Sequence, residues 1–406
     1  MSDSADTLVV LTASYPFGTS SETFLDAELP ILARRFARVI VVPSNRDDQS
    51  RRLPAGVRCE TFLADCSRQD VLRTLLRYPG SAAVQFARAV VDEGSPLIYL
   101  CHPLAYMGVI ALNLFKYRLL KEFVMREGLA DAVFYDYWLE NSTLALSLLR
   151  RSEAIHRGVA RAHGFDLYDE RSRLGAVPFR AFNVSSLDRV IAISSHGFSY
   201  LETKHPDARA KLRLSRLGVE RQRRPSQRNR GSLPSIVSCA SLTPLKRVQF
   251  VPEVLRSTGQ PLRWVHFGDG PCRAEVERAA ETLPNNVSWR LAGHVDRTEV
   301  LRYYRENNVD LFVSMSSSEG LPVSIMEAVS FGIPVLATDV GGVAEIVNSH
   351  TGRLVSVHDS IDEIARIARQ LLDGDRPSVE EMMEFFEANF DAEKNFNEFA
   401  ELLHAV

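Results

Sequence analysis

The stretch that most restricts the fold runs from Ser314 to Thr338, SMSSSEGLPVSIMEAVSFGIPVLAT. Ahead of it, Asp310–Val313 is a short apolar run of strand length. Glu319 sits among three serines and a glycine, the composition of a loop. Pro322 suits the first turn of a helix, where its missing N–H leaves nothing unsatisfied. Gly332 and Pro334 suit the stop of that helix and the point just beyond it. Ile333–Ala337 then has the continuous apolar character of a buried strand. The order strand, loop, helix, strand is the repeating unit of a parallel α/β sheet.

Two carboxylates, Glu319 and Glu327, fall within this unit with seven residues between them. Ligands of open α/β sheets bind outside the carboxyl ends of the strands, where a strand-to-helix loop opens. A helix start offers free N–H groups and partial positive charge to an anion. Helical side chains lean toward the amino end, so Glu327 can reach the same crevice. Two acceptor carboxylates beside an anion-friendly helix start suit a ligand that is both phosphorylated and rich in hydroxyls. A nucleotide sugar is such a ligand. For any single glutamate, a solvated surface position is the more common circumstance.

The flanking residues sharpen this. E-G-L-P-V-S-I-M-E followed by A-V-S-F-G-I-P-V-L-A-T resembles the Glu-x7-Glu motif of the retaining glycosyltransferases of family 4. The resemblance implies the GT-B fold: two Rossmann-like, doubly wound α/β domains facing across a cleft, with the C-terminal helix returning to the first domain. It implies donor-sugar hydroxyls on Glu319 and on the backbone of Gly320, Leu321, Pro322 and Val323, and the ribose on Glu327. It spans roughly Thr7 to Gly352, and its domain boundaries would be an acceptor-binding domain at 1–217 joined by a helix at 388–406, a basic linker at 218–234, and a nucleotide-sugar-binding domain at 235–387.

Length and composition agree with this. The 406 residues allow two ordinary domains, and 45% apolar with 24% charged residues describe a soluble globular chain. With 48 basic against 51 acidic residues there is no global nucleic-acid footprint. The five cysteines are scattered without a CxxC pair, which points to a reducing compartment. No signal peptide is read at the start, and Leu104–Phe115 is too short for a membrane span. The expected location is the cytoplasm, with the inner face of the membrane as an alternative.

Thr7–Thr12 reads as a first buried strand, with Pro16 and Gly18 in the loop after it and Ser20 and Ser21 as caps of a helix Phe24–Phe36. Val39–Val42 is the next strand. In the family, a glycine-bearing loop here faces acceptor and donor phosphates; this chain has Gly18 alone, and S-S-E-T-F resembles members acting on bacterial surface polysaccharides. Glu22 is either an acid in a first helical turn or an acceptor contact. Helices are expected over Leu72–Val91 and Leu112–Gly128, with arginines and lysines on faces that are either solvated or laid on an anionic membrane. Val133–Tyr137 and Val159–His163 are strands, the second running into R-A-H-G-F-D-L-Y. That motif resembles the family segment whose histidine faces the donor sugar, which puts His163 there; Asp166 orients the loop or meets the acceptor. The basic run Arg209–Arg230 reads as a linker.

In the second half, Ile236–Cys239 leads to S-L-T-P-L-K-R. The resemblance puts Lys246 on the donor diphosphate; Ser241 stands where the family commonly has an arginine, so Arg247 is expected to share the charge. Trp264–Phe267 leads to G-D-G-P, and Gly268 permits close backbone approach. After Val287–Leu291, Gly293, His294 and Val295 are the expected contacts to the base. A helix starts at Ile361 and a last one covers Asn395–Val406.

The activity implied is transfer of a hexose-type sugar from a nucleoside diphosphate sugar, UDP favoured over GDP, to an acceptor hydroxyl with the anomeric configuration kept, in bacterial polysaccharide or glycoconjugate synthesis. His163, Glu319 and Lys246 would form the catalytic set, and Gly18, Glu22 and Asp166 would meet a carbohydrate or lipid-linked sugar acceptor. No cofactor is expected, nor an Asp-x-Asp suited to a divalent ion, so protein cations would offset the leaving-group charge. Two other classes compete. A nucleotide-sugar epimerase or hydrolase would change or free the sugar without an acceptor, and a silent GT-B scaffold would bind nucleotide without turnover.

Overall fold

The computed structural model describes residues 5–18, 22–65, 67–78, 80, 84, 87, 102–140, 142–172, 175–222 and 233–406. The chain divides into two compact units, Met1–Ser215 with Phe396–Val406, and Arg216–Asn395. Each is built on one wholly parallel sheet.

The first sheet contains β1 (Thr7–Thr12), β2 (Arg38–Pro43), β3 (Val57–Cys59), β4 (Val133–Asp136), β5 (Arg157–Ala162), β6 (Arg189–Ala192) and β7 (Leu212–Leu214), in the order β3-β2-β1-β4-β5-β6-β7. Every residue of β1, TLVVLT, is buried. A central strand of a parallel sheet is covered on both faces, so it has no polar side to show. Alternate side chains separate cleanly. Leu8, Val10, Val39, Val41, Tyr135 and Val159 pack on one face with α1 (Leu25–Arg35). Val9, Leu11, Ile40, Val42 and Phe134 pack on the other with α3 (Pro103–Glu127), the long helix that follows α2 (Arg68–Arg77). The last helix of the chain, Ala392–His404, returns to the α1 face, where Phe399, Ala400 and Leu403 enter the core.

The second sheet contains β8 (Ser235–Cys239), β9 (Leu262–Phe267), β10 (Val287–Leu291), β11 (Leu311–Ser314), β12 (Val335–Thr338) and β13 (Gly352–Val355), in the order β10-β9-β8-β11-β12-β13. Both sheets therefore follow the doubly wound Rossmann pattern, with strand order reversing between β1 and β4 in one and between β8 and β11 in the other. That reversal parts the loops at the carboxyl edge and opens a crevice.

Several expectations need correction. The helix expected from Leu112 begins at Pro103, in the first turn, where proline's fixed φ is preorganised; its apolar residues lie all round, which hid the period. Ser20 and Ser21 lie outside the described residues, and α1 starts at Leu25 without a side-chain cap. Most of 79–91 also lies outside them, α2 closing at Arg77. The basic run from Arg209 is not a linker at its start: it completes a 3-10 turn, Pro206–Lys211, and enters edge strand β7. Leu212, 1% exposed, anchors that strand in the core, while Arg213 beside it is half-buried and donates to Ala210 O and Leu212 O. A helix at Val379–Asn389 was not expected. Among the described residues no helix is long and apolar enough to cross a membrane.

Candidate functional site

The second sheet brings its site together at the switch point. Lys246 ends the loop that leaves β8, and Glu319 lies in the loop that leaves β11, the two strands between which the order reverses. Lys246 Nζ donates to Glu319 Oε1 at 2.6 Å, and Ser316 Oγ donates to the same oxygen at 2.6 Å. Ser317 N donates to Leu245 O at 2.8 Å and ties the two loops. Glu319 is only 7% exposed, so its charge is held by this ammonium rather than by water. Behind it lies T-D-V-G-G after β12. Gly342 N donates to Gly320 O at 2.9 Å. Gly341 has φ +55, and a Cβ there would sit 1.9 Å from the Glu319 carbonyl, so only glycine allows this approach.

Pro322 stands one position ahead of the helix α10 (Val323–Ser330), as its N-cap, and Leu321 is buried beneath it. No side chain caps this helix, so the first amides remain available. Glu327, inside α10, is 5% exposed and paired with Arg297, the first residue of α9 (Arg297–Glu306). Burial pushes the Glu327 carboxyl above its ordinary range, and the Arg297 guanidinium opposes that.

Arg247 is not brought to Glu319. It has φ +50, its guanidinium lies over the Phe250 ring at 4.6 Å, and it reaches toward Val357 O at 3.4 Å. Gly268 N donates to Gly293 O at 2.9 Å, which joins the turns after β9 and β10. A Cβ on Gly268 would meet Ala240 O at 1.9 Å, so this turn presses on the loop leaving β8. A cavity of about 200 Å³ beside it is lined by Phe267, Ala292, Val295 and Tyr303 among others. His294 stands in the same turn between Gly293 and Val295. One Asp-x-Asp does occur, at Asp373 and Asp375, but at the opposite, amino edge of the sheet. Those carboxylates meet Gln260 and Arg353.

In the first sheet the reversal is occupied differently. Glu22 lies ahead of α1 at φ +52, not in a helical turn, which overturns the first-turn expectation. Its Oε1 accepts from Ala13 N at 2.8 Å and Trp138 Nε1 at 2.7 Å. Its Oε2 accepts from Ser14 N at 2.8 Å and Tyr15 N at 2.7 Å. The carboxylate thus welds the loop after β1 to the loop after β4. Gly18, φ +78, is tied at its N–H to Gln49 O (2.8 Å) and at its carbonyl to Arg51 Nε (3.0 Å).

Asp166 orients its loop. Oδ1 accepts from His163 N and Gly164 N, both at 2.8 Å, and Oδ2 from Leu139 N at 2.9 Å. Burial alone would raise its pKa, but its contact with His163 and these amides hold the carboxyl below the usual range. His163 follows the last residue of β5, its ring 4.6 Å from Tyr137 and 4.4 Å from Trp138 between centroids. Its Nδ1 stands 3.6 Å from Asp166 Oδ2, and neither ring nitrogen has a hydrogen-bond partner among the described residues. Burial lowers its pKa, which keeps the imidazole neutral, with one donor and one acceptor to offer.

Sequence reasoning passed over Arg297, Ser316, Trp138 and Arg161. Arg297 did carry a signal: a cation at a helix start opposes the macrodipole and asks for a reason. Arg161 carried another, a charge between the apolar residues Val159, Ala160 and Ala162; it pairs with Glu28 at 2.8 Å, both side chains fully buried.

Two doubly wound sheets in one chain, with a last helix folded back on the first, define a GT-B protein. Solved structures agree over 98% of this chain: the lipopolysaccharide outer core galactosyltransferase WaaB in its apo form, at TM-score 0.69 and 14% identity over 99% of that chain, and HepE of Anabaena in complex with UDP and glucose, at 0.62 and 15% over 100%. At such identities the likeness establishes the fold. Residues 219–389, within the second unit, match the family described as "Glycosyl transferases group 1". A relative is the putative colanic acid biosynthesis glycosyltransferase WcaL of Escherichia coli (strain K12), 30% identical over 212 residues, 49% of this chain and 52% of that one. The chain spans about half the length of the curated relatives it matches.

Proposed function

We propose that the protein is a retaining glycosyltransferase. It moves a sugar from a nucleoside diphosphate sugar, UDP before GDP, to a hydroxyl of a carbohydrate or lipid-linked acceptor, in bacterial polysaccharide synthesis on the cytoplasmic side. The observation that carries this is the Lys246–Glu319 pair at 2.6 Å on the two switch-point strands of the second sheet. An ammonium and a hydroxyl-binding carboxylate stand side by side, which is what a sugar diphosphate requires.

In this reading Lys246 leaves Glu319 for the diphosphate and offsets the charge that builds there as the glycosidic bond lengthens. The first amides of α10 assist. Glu319, relieved of its cation, accepts from donor-sugar hydroxyls, and Glu327 accepts from the ribose. Neutral His163 meets a sugar hydroxyl near the reacting carbon. The acceptor attacks from the face the diphosphate leaves and gives its proton to the departing phosphate oxygen, so configuration is kept with no carboxylate nucleophile. Asp166 and Glu22 serve by fixing the loops around His163, their own oxygens being taken.

A thermal-shift panel of UDP, GDP, ADP and CMP tests the reading. One diphosphate should stabilise the protein clearly without added metal, and no shift from any would overturn it. Glu327→Ala should weaken nucleotide binding, and Glu319→Ala should chiefly reduce transfer. Release of free sugar without acceptor as the main reaction would assign a hydrolase instead.

A further inference from the structure

The nucleotide-sugar reading leaves Arg297 without a task, and its position asks for one. It occupies the first turn of α9, where the helix macrodipole disfavours a cation. It follows Asp296, the N-cap, whose side chain makes no cap hydrogen bond. Its guanidinium Nε instead crosses to α10 and donates to Glu327 Oε1. The carboxylate it meets is 5% exposed and lies inside a helix that is buried from Ile325 through Ser330. Other titratable groups near Glu327 give no help. From α9, Tyr304 has a buried hydroxyl without a partner, and burial drives its pKa well above the ordinary range. From the end of β8, burial pushes the Cys239 thiol up to about 12. Both are neutral across the working range, so Arg297 supplies the one positive charge that faces this carboxylate among the described groups shown to act on it.

We propose that Arg297 is a positioning residue of the nucleotide site: it holds Glu327 as an oriented anion, the form that can accept a hydrogen bond from each of two ribose hydroxyls. A carboxyl in so dry a place would otherwise take up a proton. Protonated, it would present one donor and lose an acceptor, and a vicinal diol would no longer be matched. Because Arg297 uses Nε on one carboxylate oxygen, the other oxygen keeps its lone pairs for the ligand. The inference rests on the nucleotide-sugar reading, and it adds to that reading a residue and a pH dependence.

The test is nucleotide affinity as a function of pH in the full chain, by calorimetry, with the diphosphate (UDP or GDP) that binds the wild-type protein. Arg297→Met keeps the apolar stem and removes the cation. The diphosphate's own titration is common to both proteins, so the ratio of variant to wild-type affinity is read. Between about pH 6 and about pH 8.5 that ratio should rise several-fold, because loss of the guanidinium leaves burial unopposed and moves the Glu327 pKa further up. The sign follows from burial: without the guanidinium Glu327 holds its proton to higher pH, so binding is weak at low pH and recovers as pH rises. Arg297→Lys should restore most of the wild-type profile. Arg297→Met with Glu327→Gln cannot titrate at this position, so it should show no pH-dependent ratio; it also leaves no buried unpaired acid, which covers the case in which Arg297→Met alone folds poorly. A pH-independent ratio in Arg297→Met, whether or not affinity falls, overturns the proposal, since a residue that only touches the ligand would lose affinity evenly. Persistence of the pH dependence in the double variant overturns it as well. Failure of the wild-type chain to bind any diphosphate instead removes the reading beneath it.

Discussion

Glu22 and Glu319 occupy matching places, each at the strand-order reversal of its own sheet, and each is 5–7% exposed. Glu22 accepts four hydrogen bonds from its own chain, three from backbone amides and one from Trp138. Glu319 meets one ammonium and one hydroxyl. Backbone amides cannot move away without refolding the loop, whereas a lysine on a flexible stem can turn to a stronger anion. The first unit thus uses charge to fix its loops, and the second keeps the Lys246–Glu319 charge in an exchangeable pair. A contrast of exposure separates the fully buried Arg161–Glu28 pair, stacked against Phe399 of the returning helix, from Arg297–Glu327. Arg297 retains 27% side-chain exposure and so lies at the edge of open space.

The contrast can be broken by experiment. The largest effect is expected from Arg161→Met, which strands Glu28 unpaired under the last helix. It should lower stability by roughly 3–5 kcal/mol in urea unfolding, and a loss under about 1 kcal/mol would show that the pair anchors nothing. Next, Glu22→Ala should cost about 3 kcal/mol, since three backbone amides and an indole N–H lose their acceptor. Equal or greater loss from Glu319→Ala in the same unfolding experiment would invert the comparison. Glu319→Ala should instead keep the fold and slow transfer by on the order of a hundredfold, about 2.7 kcal/mol of transition-state free energy, measured with saturating donor.

The smallest effect is a pH dependence. Burial holds His163 low in the first unit, His205 at about 4 there, and His266 at about 4 in the second. In each case the folded pKa lies below the unfolded one, so between the two the unfolded chain binds more protons. Stability should be fully present above the ordinary histidine range and should decline as pH falls from about 6.5 toward 4. His163→Gln should flatten part of that decline, and an unchanged slope would mean the ring is not held neutral.

Much of this architecture was legible in the chain. β1 falls where its apolar run places it, β10 covers the expected residues although only Val287 in it is buried, and α10 with its flanking strands shifts by one or two residues. Short buried strands announce themselves by composition, and helix stops by glycine and proline. The misses have physical causes. The helix from Pro103 is apolar on too many sides to show a period. Edge strand β7 is three residues long, with only Leu212 deeply buried, inside a run dominated by arginine. Glu22 sits next to a helix and so resembled a first-turn acid, but a left-handed backbone turns its carboxylate back over the preceding loop.

The sequence by itself determined the alternation of strands and helices and the spacing of the two motif glutamates, because both follow from local periodicity and from residues near in the chain. Tertiary structure alone decided which charges meet. Lys246 and Glu319 are 73 residues apart, Arg297 and Glu327 are 30 apart, and Glu22 and Trp138 are 116 apart. No local pattern records such pairs. They arise because a parallel sheet whose strand order reverses delivers loops from distant parts of the chain to one edge, where burial obliges every charge to find a partner.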